Sequence, residues 1–308
     1  MRKFLIDTDT ASDDAVALIM AHRWPDVEIV AVTIVNGNVP VDVGAKNALY
    51  TIQTCDCSTP VYLGASKPIL RDSKYSYWFH GKDGMGDNNY PEPTLKARDK
   101  NAIDEIIDTI KANRGDITLV TLGPLTNIAT ALLKDPSLAS DVKRCVVMGG
   151  AANCVGNVTP AAEYNIWVDP EAAKIVFDSG MPIEMVGWEL SRNEAAVLPD
   201  EIDRLQANPT KLSKLAIECN KTALQASIKI QKAPSLTLAD PVAMAVALDP
   251  SIVQKKAKYF VDVETKSELT RGQTVVDELE VLKKAPNITV IKSIDIAKWK
   301  NMLFNSLQ

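Results

Sequence analysis

The acidic segment between residues 7 and 14 constrains this chain more than any other feature. Asp7 and Asp9 directly follow a short apolar run, and Asp13 and Asp14 precede an apolar helical pattern. Four carboxylates this close together repel one another unless a cation lies between them, and hard cations such as Ca²⁺ and Mg²⁺ bind oxygen ligands of this kind. We therefore predict a metal site at the carboxyl end of the first strand, the edge where open α/β sheets place their active sites.

Helix capping offers a second interpretation of part of this segment. Ser12 is a suitable cap for a helix that opens at Asp13. Asp13 and Asp14 would then lie in the first turn, where the helix dipole favours negative charge. Capping alone leaves Asp7 and Asp9 unexplained, so the pattern favours a metal site.

Apolar and amphipathic segments alternate along the chain. This alternation predicts an α/β fold, an open, mostly parallel Rossmann-like sheet with helices on both faces, formed by a single domain over residues 1–308. Two late strand patterns predict an antiparallel edge. The predicted strands are 4–6, 29–35, 60–63, 117–122, 145–148, 183–186, 259–263 and 273–277, and the predicted helices include 15–22, 103–111, 170–179, 199–226, 241–247 and 294–303.

Charge and cysteine content restrict the partners and the compartment. The formal net charge is -5, and no block of Lys or Arg stands out, which argues against nucleic acid or an anionic membrane as a partner. The first apolar run is too short for a signal peptide or a membrane span. Five scattered cysteines indicate free thiols in a reducing compartment, so we expect a cytoplasmic protein.

Polar side chains gather where several predicted strands end. Asn38 follows the second strand, and Asn157, Glu163 and Asn165 lie in and after a glycine-containing loop. Each alone is more often a turn or capping residue. Together they offer donors and acceptors that suit the vicinal hydroxyls of a sugar. Asp240, at the start of a late helix, is by itself more often a cap than a ligand.

A long irregular segment, residues 71–101, carries most of the aromatic character near the predicted site. Trp78 and His80 lie in it, flanked by glycines. Long loops in compact domains are often functional, so the segment suits a lid that closes over a flat ligand. A surface loop pinned by aromatic packing explains the same residues equally well.

Several short motifs occur in an order that resembles the inosine–uridine nucleoside hydrolase family. The resemblance spans nearly the whole chain and implies a Ca²⁺-dependent hydrolase that splits ribonucleosides into ribose and free base, acting as a homodimer or homotetramer. The motifs are Asp7-Thr8-Asp9 with Asp13-Asp14, Gly37-Asn38, His80-Gly81, Gly123-Pro124-Leu125-Thr126-Asn127, Met148-Gly149-Gly150, Asn157, Glu163-Tyr164-Asn165 and Asp240-Pro241.

The same resemblance implies a role for individual residues. Asp13 matches the general base, and Asp7 matches a supporting acid beside the substrate. The implied Ca²⁺ ligands are Asp9, Asp14, Asp240 and the backbone carbonyl of Leu122, and the implied ribose-binding residues are Asn38, Asn157, Glu163 and Asn165.

One position departs from the family pattern. Many members carry a histidine before the late metal-binding aspartate, as a general acid for the leaving base, and this chain has Ala239 there. His80 is the alternative acid, although a loop-packing role explains it as well. Some purine-preferring relatives instead stack the base between tryptophans, for which Trp78 is the first candidate and Trp188 the second. Both residues could equally serve packing, and the pattern favours purine nucleosides.

Two other functions fit parts of the sequence. A haloacid-dehalogenase-like phosphatase would use Asp7 as a nucleophile with Mg²⁺, but it leaves Asn157, Glu163 and Asn165 without a role. A nucleoside-binding protein without turnover is suggested by Ala239. Binding alone, however, needs no base at the position of Asp13.

Overall fold

The computed structural model describes residues 1–207, 209–232 and 234–308, and within these ranges the chain alternates between strands and helices. The strands are β1 (Arg2–Thr8), β2 (Val27–Ile34), β3 (Val61–Leu63), β4 (Ile117–Thr121), β5 (Arg144–Met148), β6 (Ile183–Val186), β7 (Val253–Val263), β8 (Thr274–Asp277) and β9 (Ile288–Ile294). The helices are α1 (Ser12–Arg23), α2 (Val41–Thr54), α3 (Tyr77–His80), α4 (Ala102–Ala112), α5 (Thr126–Lys134), α6 (Leu138–Asp141), α7 (Tyr164–Val168), α8 (Pro170–Phe177), α9 (Pro199–Ala207), α10 (Lys211–Cys219), α11 (Lys221–Ala226), α12 (Ala239–Leu248) and α13 (Ile296–Ser306).

The strands form one sheet in the order β3-β2-β1-β4-β5-β6-β9-β7-β8. Neighbouring strands are parallel from β3 to β9, and β7 is antiparallel to both β9 and β8. The first six strands thus have the doubly wound order, in which the connections reverse direction between β1 and β4. This confirms the predicted fold class and the antiparallel edge, and it places the switch point beside Asp7, which pairs with Thr121. The single-domain assignment stays a prediction.

Burial on both faces of the sheet explains why the strands read as continuous apolar runs. Along β1, Phe4 and Ile6 enter the core layer formed with α1, α2, α12 and α13, whereas Leu5 enters the layer formed with α4, α5 and α8. The central strands are therefore fixed from both sides, and the loops at their carboxyl ends start from rigid positions. None of the helices in the described part of the chain has the length and apolar character needed to cross a membrane.

Some local predictions differ from the structure. The predicted helix over 199–226 is divided into α9, α10 and α11, with residue 208 outside the described ranges. Strand β9 was not predicted. Ser12 does not cap α1, because the residue before the helix is Ala11. The backbone N–H of Ala11 donates a hydrogen bond to the Asp14 carboxylate at 2.9 Å. An acid in the third helical position reaches back to this orphan amide, which leaves the Ser12 hydroxyl free for His80.

Candidate active site

A cleft with about 700 Å³ of open space lies at the switch point of the sheet. It brings together loops that follow β1, β2, β4 and β5 with the start of α12, which are far apart in sequence. Most of the predicted site residues line it, whereas Asp7, Asp9 and Asp14 are fully buried and do not. The lining residues are Asp13, Asn38, Ser76, Trp78, Phe79, His80, Leu122, Met148, Asn157, Val158, Glu163, Tyr164, Asn165, Trp188, Thr237, Ala239 and Asp240.

The acidic residues from opposite ends of the chain converge. One carboxylate oxygen from each of Asp13, Asp14 and Asp240 lies within 4.8 Å of the others. Burial raises the pKa of Asp13 and of Asp14 to about 6, and the charge of Asp13 adds to the shift at Asp14. Burial and the same neighbouring charges raise the pKa of Asp9 and of Asp240 well above the ordinary range. Such an arrangement is unfavourable without a compensating positive charge.

The surroundings of Asp9 supply a specific test of whether a cation fits. Its Oδ2 accepts a hydrogen bond from the backbone N–H of Asn38 at 2.5 Å. Its Oδ1 is buried and has no hydrogen-bond partner among the described residues. The backbone packs closely around this carboxylate, because an added Cβ at Gly37 would lie 2.1 Å from Oδ2, and one at Gly123 would lie 2.7 Å from Oδ1. An orphaned buried oxygen beside three converging carboxylates fits a hard cation.

Two further predicted ligands are also held in place. Asp14 accepts hydrogen bonds from the Thr8 hydroxyl at 2.5 Å and from the Ala11 amide at 2.9 Å. The carbonyl oxygen of Leu122 accepts a hydrogen bond from Asn165 Nδ2 at 2.7 Å. A carbonyl oxygen has two lone pairs, so the second remains for another partner. All four ligand assignments remain predictions.

Asp13 differs from the buried acids because it reaches the cleft. Its side chain is 14% exposed, and the nearby backbone N–H groups of Ala239 and Asp240 favour its ionised form. His80 Nδ1 lies 2.7 Å from the Ser12 hydroxyl and 3.9 Å from Asp13 Oδ1. Burial lowers the pKa of His80 to about 4, so its imidazole is neutral near pH 7. Asp13 is thus a solvent-accessible carboxylate beside a neutral ring.

The polar residues predicted to bind ribose are fixed by hydrogen bonds of their own. The Glu163 carboxylate caps α7 by accepting the N–H of Asn165 at 2.9 Å, and it also accepts the N–H of Gly150 at 3.0 Å. The Oδ1 atom of Asn157 accepts the N–H of Tyr164 at 2.9 Å. The Oδ1 atom of Asn38 likewise accepts a bond from a neighbouring hydroxyl. These bonds fix a polar part of the cleft lining, called here the polar arc, which consists of Asn38, Asn157, Glu163 and Asn165.

Two tryptophans contribute aromatic surface to the cleft lining. Trp78 on α3 is 50% exposed and meets Phe79 edge-on. Trp188 is almost completely buried; its Nε1 donates to the carbonyl of Val155 at 2.8 Å, and the guanidinium of Arg192 lies 4.4 Å from its ring centre. Trp188 is therefore a fixed wall, whereas Trp78 has room to adjust to a ligand.

Asp7 has a different environment from the other acids. Its Oδ1 accepts hydrogen bonds from Thr33 at 2.6 Å and Asn127 at 2.8 Å, and burial raises its pKa to about 7. A phosphatase nucleophile must reach its substrate, and Asp7 is enclosed by protein. Its position suits a supporting acid behind the site better than a residue in direct contact with substrate. This role stays a prediction.

Sequence reasoning missed some lining residues. Tyr164 lies between Glu163 and Asn165 in a quoted motif, yet it was given no role. Ser76 and Thr237 carry no pattern that distinguishes them from other loop hydroxyls. Only the position of Tyr164, between two predicted ribose-binding residues, could have drawn attention to it.

Fold and site together define an α/β protein whose active-site cleft contains an acidic cluster that could bind a metal ion. The chain belongs to the family of inosine–uridine preferring nucleoside hydrolases, whose family model matches residues 4–301. It is 38% identical over 312 residues to a pyrimidine-specific ribonucleoside hydrolase of Shewanella sp. (strain MR-7), covering 99% of this chain and 96% of the relative. The predicted family is thereby confirmed.

Solved structures of the family are similar throughout the chain. A plant nucleoside hydrolase superposes with a TM-score of 0.94 at 29% identity, and a purine-preferring ribonucleoside hydrolase from Gardnerella vaginalis superposes with a TM-score of 0.92 at 31% identity. Each comparison covers 99% of this chain and 98% of the other. This chain is therefore an N-glycosyl hydrolase of the ribonucleoside class, and the phosphatase and non-catalytic alternatives are set aside. The names of the relatives include both purine and pyrimidine preferences.

Proposed function

We propose that this enzyme is a Ca²⁺-dependent ribonucleoside hydrolase that prefers purine nucleosides and releases ribose and free base. The observation that carries the proposal is the convergence of Asp13, Asp14 and Asp240 oxygens within 4.8 Å of one another, in a cleft that is also lined by the polar arc and by two tryptophans. The carboxylates suit a hard cation, the polar arc suits ribose hydroxyls, and the tryptophans suit a base.

Four groups would hold the cation: the carboxylates of Asp9, Asp14 and Asp240 and the carbonyl of Leu122. When bound, Ca²⁺ supplies a Lewis acid that offsets the clustered charge, orients hydroxyls and makes a nearby water more acidic. Oxygen donors without nitrogen or sulfur favour Ca²⁺ or Mg²⁺ over Zn²⁺. Six to eight oxygens around Ca²⁺ leave room for substrate hydroxyls and water beside the protein ligands.

Asp13 is the proposed general base. Its pKa of about 6 leaves it ionised at pH 7 and above, yet close enough to neutrality for efficient proton transfer from water. As water attacks C1′, the ribosyl ring gains oxocarbenium character, as in glycoside hydrolysis generally. Carboxylates and amide oxygens of Asn38, Asn157, Glu163 and Asn165 stabilise that positive charge and hold the hydroxyls.

The leaving base determines the proposed preference. Ala239 supplies no acid, and the lowered pKa of His80 means that its neutral ring can donate a hydrogen bond but is a poor source of a full proton at pH 7. Purines carry a basic N7 that solvent can protonate, whereas uracil has no comparable nitrogen. Stacking on Trp78, with Trp188 as a fixed wall, favours a protonated purine because aromatic faces attract cations.

The test is a substrate panel with inosine, guanosine, adenosine, uridine and cytidine, assayed by released reducing sugar in Ca²⁺ and in a chelator. We expect purine nucleosides to give the highest kcat/KM, and the chelator to abolish turnover. Higher kcat/KM for uridine and cytidine would refute the base preference. Unchanged turnover in the chelator would refute the metal requirement, and full activity with Mg²⁺ alone would refute the choice of Ca²⁺.

We also propose that the enzyme self-associates as a homodimer or homotetramer. Support comes from exposed apolar side chains on and beside the edge strand β8, since large exposed patches and free edge strands commonly mark interfaces. Light scattering after size exclusion should give a multiple of the 33.5 kDa chain mass, and a monomer at micromolar concentration would refute this. These side chains are Leu269, Val275, Leu279, Val281 and Leu282.

A further inference from the structure

We propose that the hydroxyl of Tyr164 is a positioning group that holds the aromatic loop, residues 73–80, against α7 and thereby sets the affinity for the nucleobase but not for ribose. The inference deepens the proposed function and rests on it. It assigns a role in base recognition to a residue that lies between two proposed ribose-binding residues, Glu163 and Asn165.

The geometry around the hydroxyl is the first observation. The oxygen of Tyr164 lies 2.8 Å from the carbonyl oxygen of Gly37 and 2.6 Å from that of Lys74. Burial, together with the charge of Asp9, raises the pKa of Tyr164 well above its usual value, so the phenol keeps its proton. Carbonyl oxygens only accept hydrogen bonds. The single hydroxyl proton of Tyr164 is therefore shared between the segment that contains Gly37 and the segment that contains Lys74.

Each of these segments leads to a different part of the site. Gly37 packs directly on the carboxylate of Asp9, so it is fixed to the acidic centre. Lys74 belongs to the loop that continues into α3 and Trp78. Tyr164 itself follows Glu163, at the start of α7. Its hydroxyl consequently connects the acidic centre, the ribose-binding helix and the base-binding loop.

Other hydrogen bonds show why the loss of this hydroxyl should act selectively. The backbone N–H and hydroxyl of Ser76 donate to the backbone and side-chain oxygens of Asn38, at 3.1 and 2.6 Å. These bonds attach the loop to the segment after β2. In the described part of the chain, the hydrogen bonds between residues 73–80 and α7 all come from Tyr164. Glu163 and Asn165 keep their own partners without it.

The consequence is an unequal effect on the two halves of the substrate. Without the hydroxyl, the carbonyls of Gly37 and Lys74 both lose their donor. Gly37 stays packed against the Asp9 carboxylate, whereas the loop is free to shift relative to α7. A nucleoside must then order the loop when it binds, which weakens its affinity. Free ribose contacts the polar arc and does not require Trp78, so its affinity should be preserved.

The experiment compares Tyr164→Phe with Tyr62→Phe, a control that removes a hydroxyl from a half-buried tyrosine on β3, away from the cleft. We expect Tyr164→Phe to lower kcat/KM for inosine about tenfold, the loss of one good hydrogen bond, mainly through KM. The inhibition constant of ribose should change by less than about twofold. The control should match wild type in both measurements, and all assays are run well below the melting temperature of each variant.

A double-mutant cycle with Trp78→Ala identifies the route of the effect. If Tyr164 acts through the loop, Tyr164→Phe should have almost no further effect once the Trp78 ring is gone. The inference is overturned if Tyr164→Phe matches wild type, if ribose inhibition weakens in parallel with KM, or if the full effect persists beside Trp78→Ala. A wild-type enzyme that releases no ribose from any nucleoside would instead refute the proposed function, and inosine and ribose binding measured by calorimetry would still test the role of Tyr164.

Discussion

Gly37→Ala should disable the enzyme although it replaces none of the proposed ligands. An added Cβ would lie 2.1 Å from Asp9 Oδ2 and 2.7 Å from both Asp9 Cγ and Pro124 Cδ. Real Cβ atoms essentially never approach closer than 3.0 Å, so the Asp9 carboxylate must move by about 1 Å or the backbone must shift. Metal sites tolerate ligand displacements of only about 0.2 Å, and a 1 Å misplacement at an active site costs on the order of 100-fold in rate.

The assay follows ribose release and Ca²⁺ binding in the same preparation. We expect Gly37→Ala to lose about 100-fold in kcat/KM and to require much more Ca²⁺ for half-maximal activity. Gly44→Ala on α2 is the matched control. Its methyl group would meet Ile34 Cγ2 at 3.1 Å and the backbone of Asp9 at an ordinary contact distance of 3.5 Å, but not the Asp9 carboxylate. A Gly37→Ala enzyme with the Ca²⁺ dependence and turnover of wild type would show that Asp9 is not a ligand in this position.

Two further variants, examined by three measurements, test the other roles. Asp13→Asn should reduce kcat by at least about 100-fold, the scale of general-base catalysis, while nucleoside binding measured by calorimetry persists; loss of binding with kcat retained would contradict the base assignment. The same variant should melt at a higher temperature than wild type in chelator at pH 8. The pKa of Asp13 in the folded state, about 6, exceeds the ordinary 3.8, so the folded wild-type enzyme loses stability as pH rises through this interval, and Asn cannot ionise. An unchanged melting temperature would contradict the argument that burial raises this pKa. Trp78→Ala should lower kcat/KM more for inosine than for uridine, and an equal loss would exclude purine stacking.

Much of the fold could be predicted from the alternation of apolar and amphipathic segments and from the burial of the central strands. The runs around Phe4 to Ile6 and Val146 to Met148 lie in strands buried on both faces, where side-chain chemistry leaves little choice of structure. The strand over 288–294 was missed because its pattern includes Thr289, Lys292 and Ser293 and runs almost directly into α13. Pairing with β6 and β7 stabilises it, and such non-local pairing has no signature in the local sequence.

The composition of the site was more predictable than its internal contacts. Asp9, Asp14 and Asp240 were grouped by resemblance, and the structure brings residues 14 and 240 together with Asp13. The bonds of Ser12 to His80 and of Tyr164 to Lys74 could not be predicted, since each joins segments far apart in sequence. Contacts of this kind depend on loop geometry, which local residue patterns do not determine.

Calorimetric titration of Ca²⁺ into the metal-free enzyme and into its Asp240→Asn variant tests the central claim most directly. The account predicts one Ca²⁺ per chain for wild type and at least a tenfold weaker affinity for the variant, since removing a ligand or its support typically costs 10- to 100-fold. Equal Ca²⁺ affinity for the two proteins would show that residues from the two ends of the chain do not share one ion, and would contradict the account.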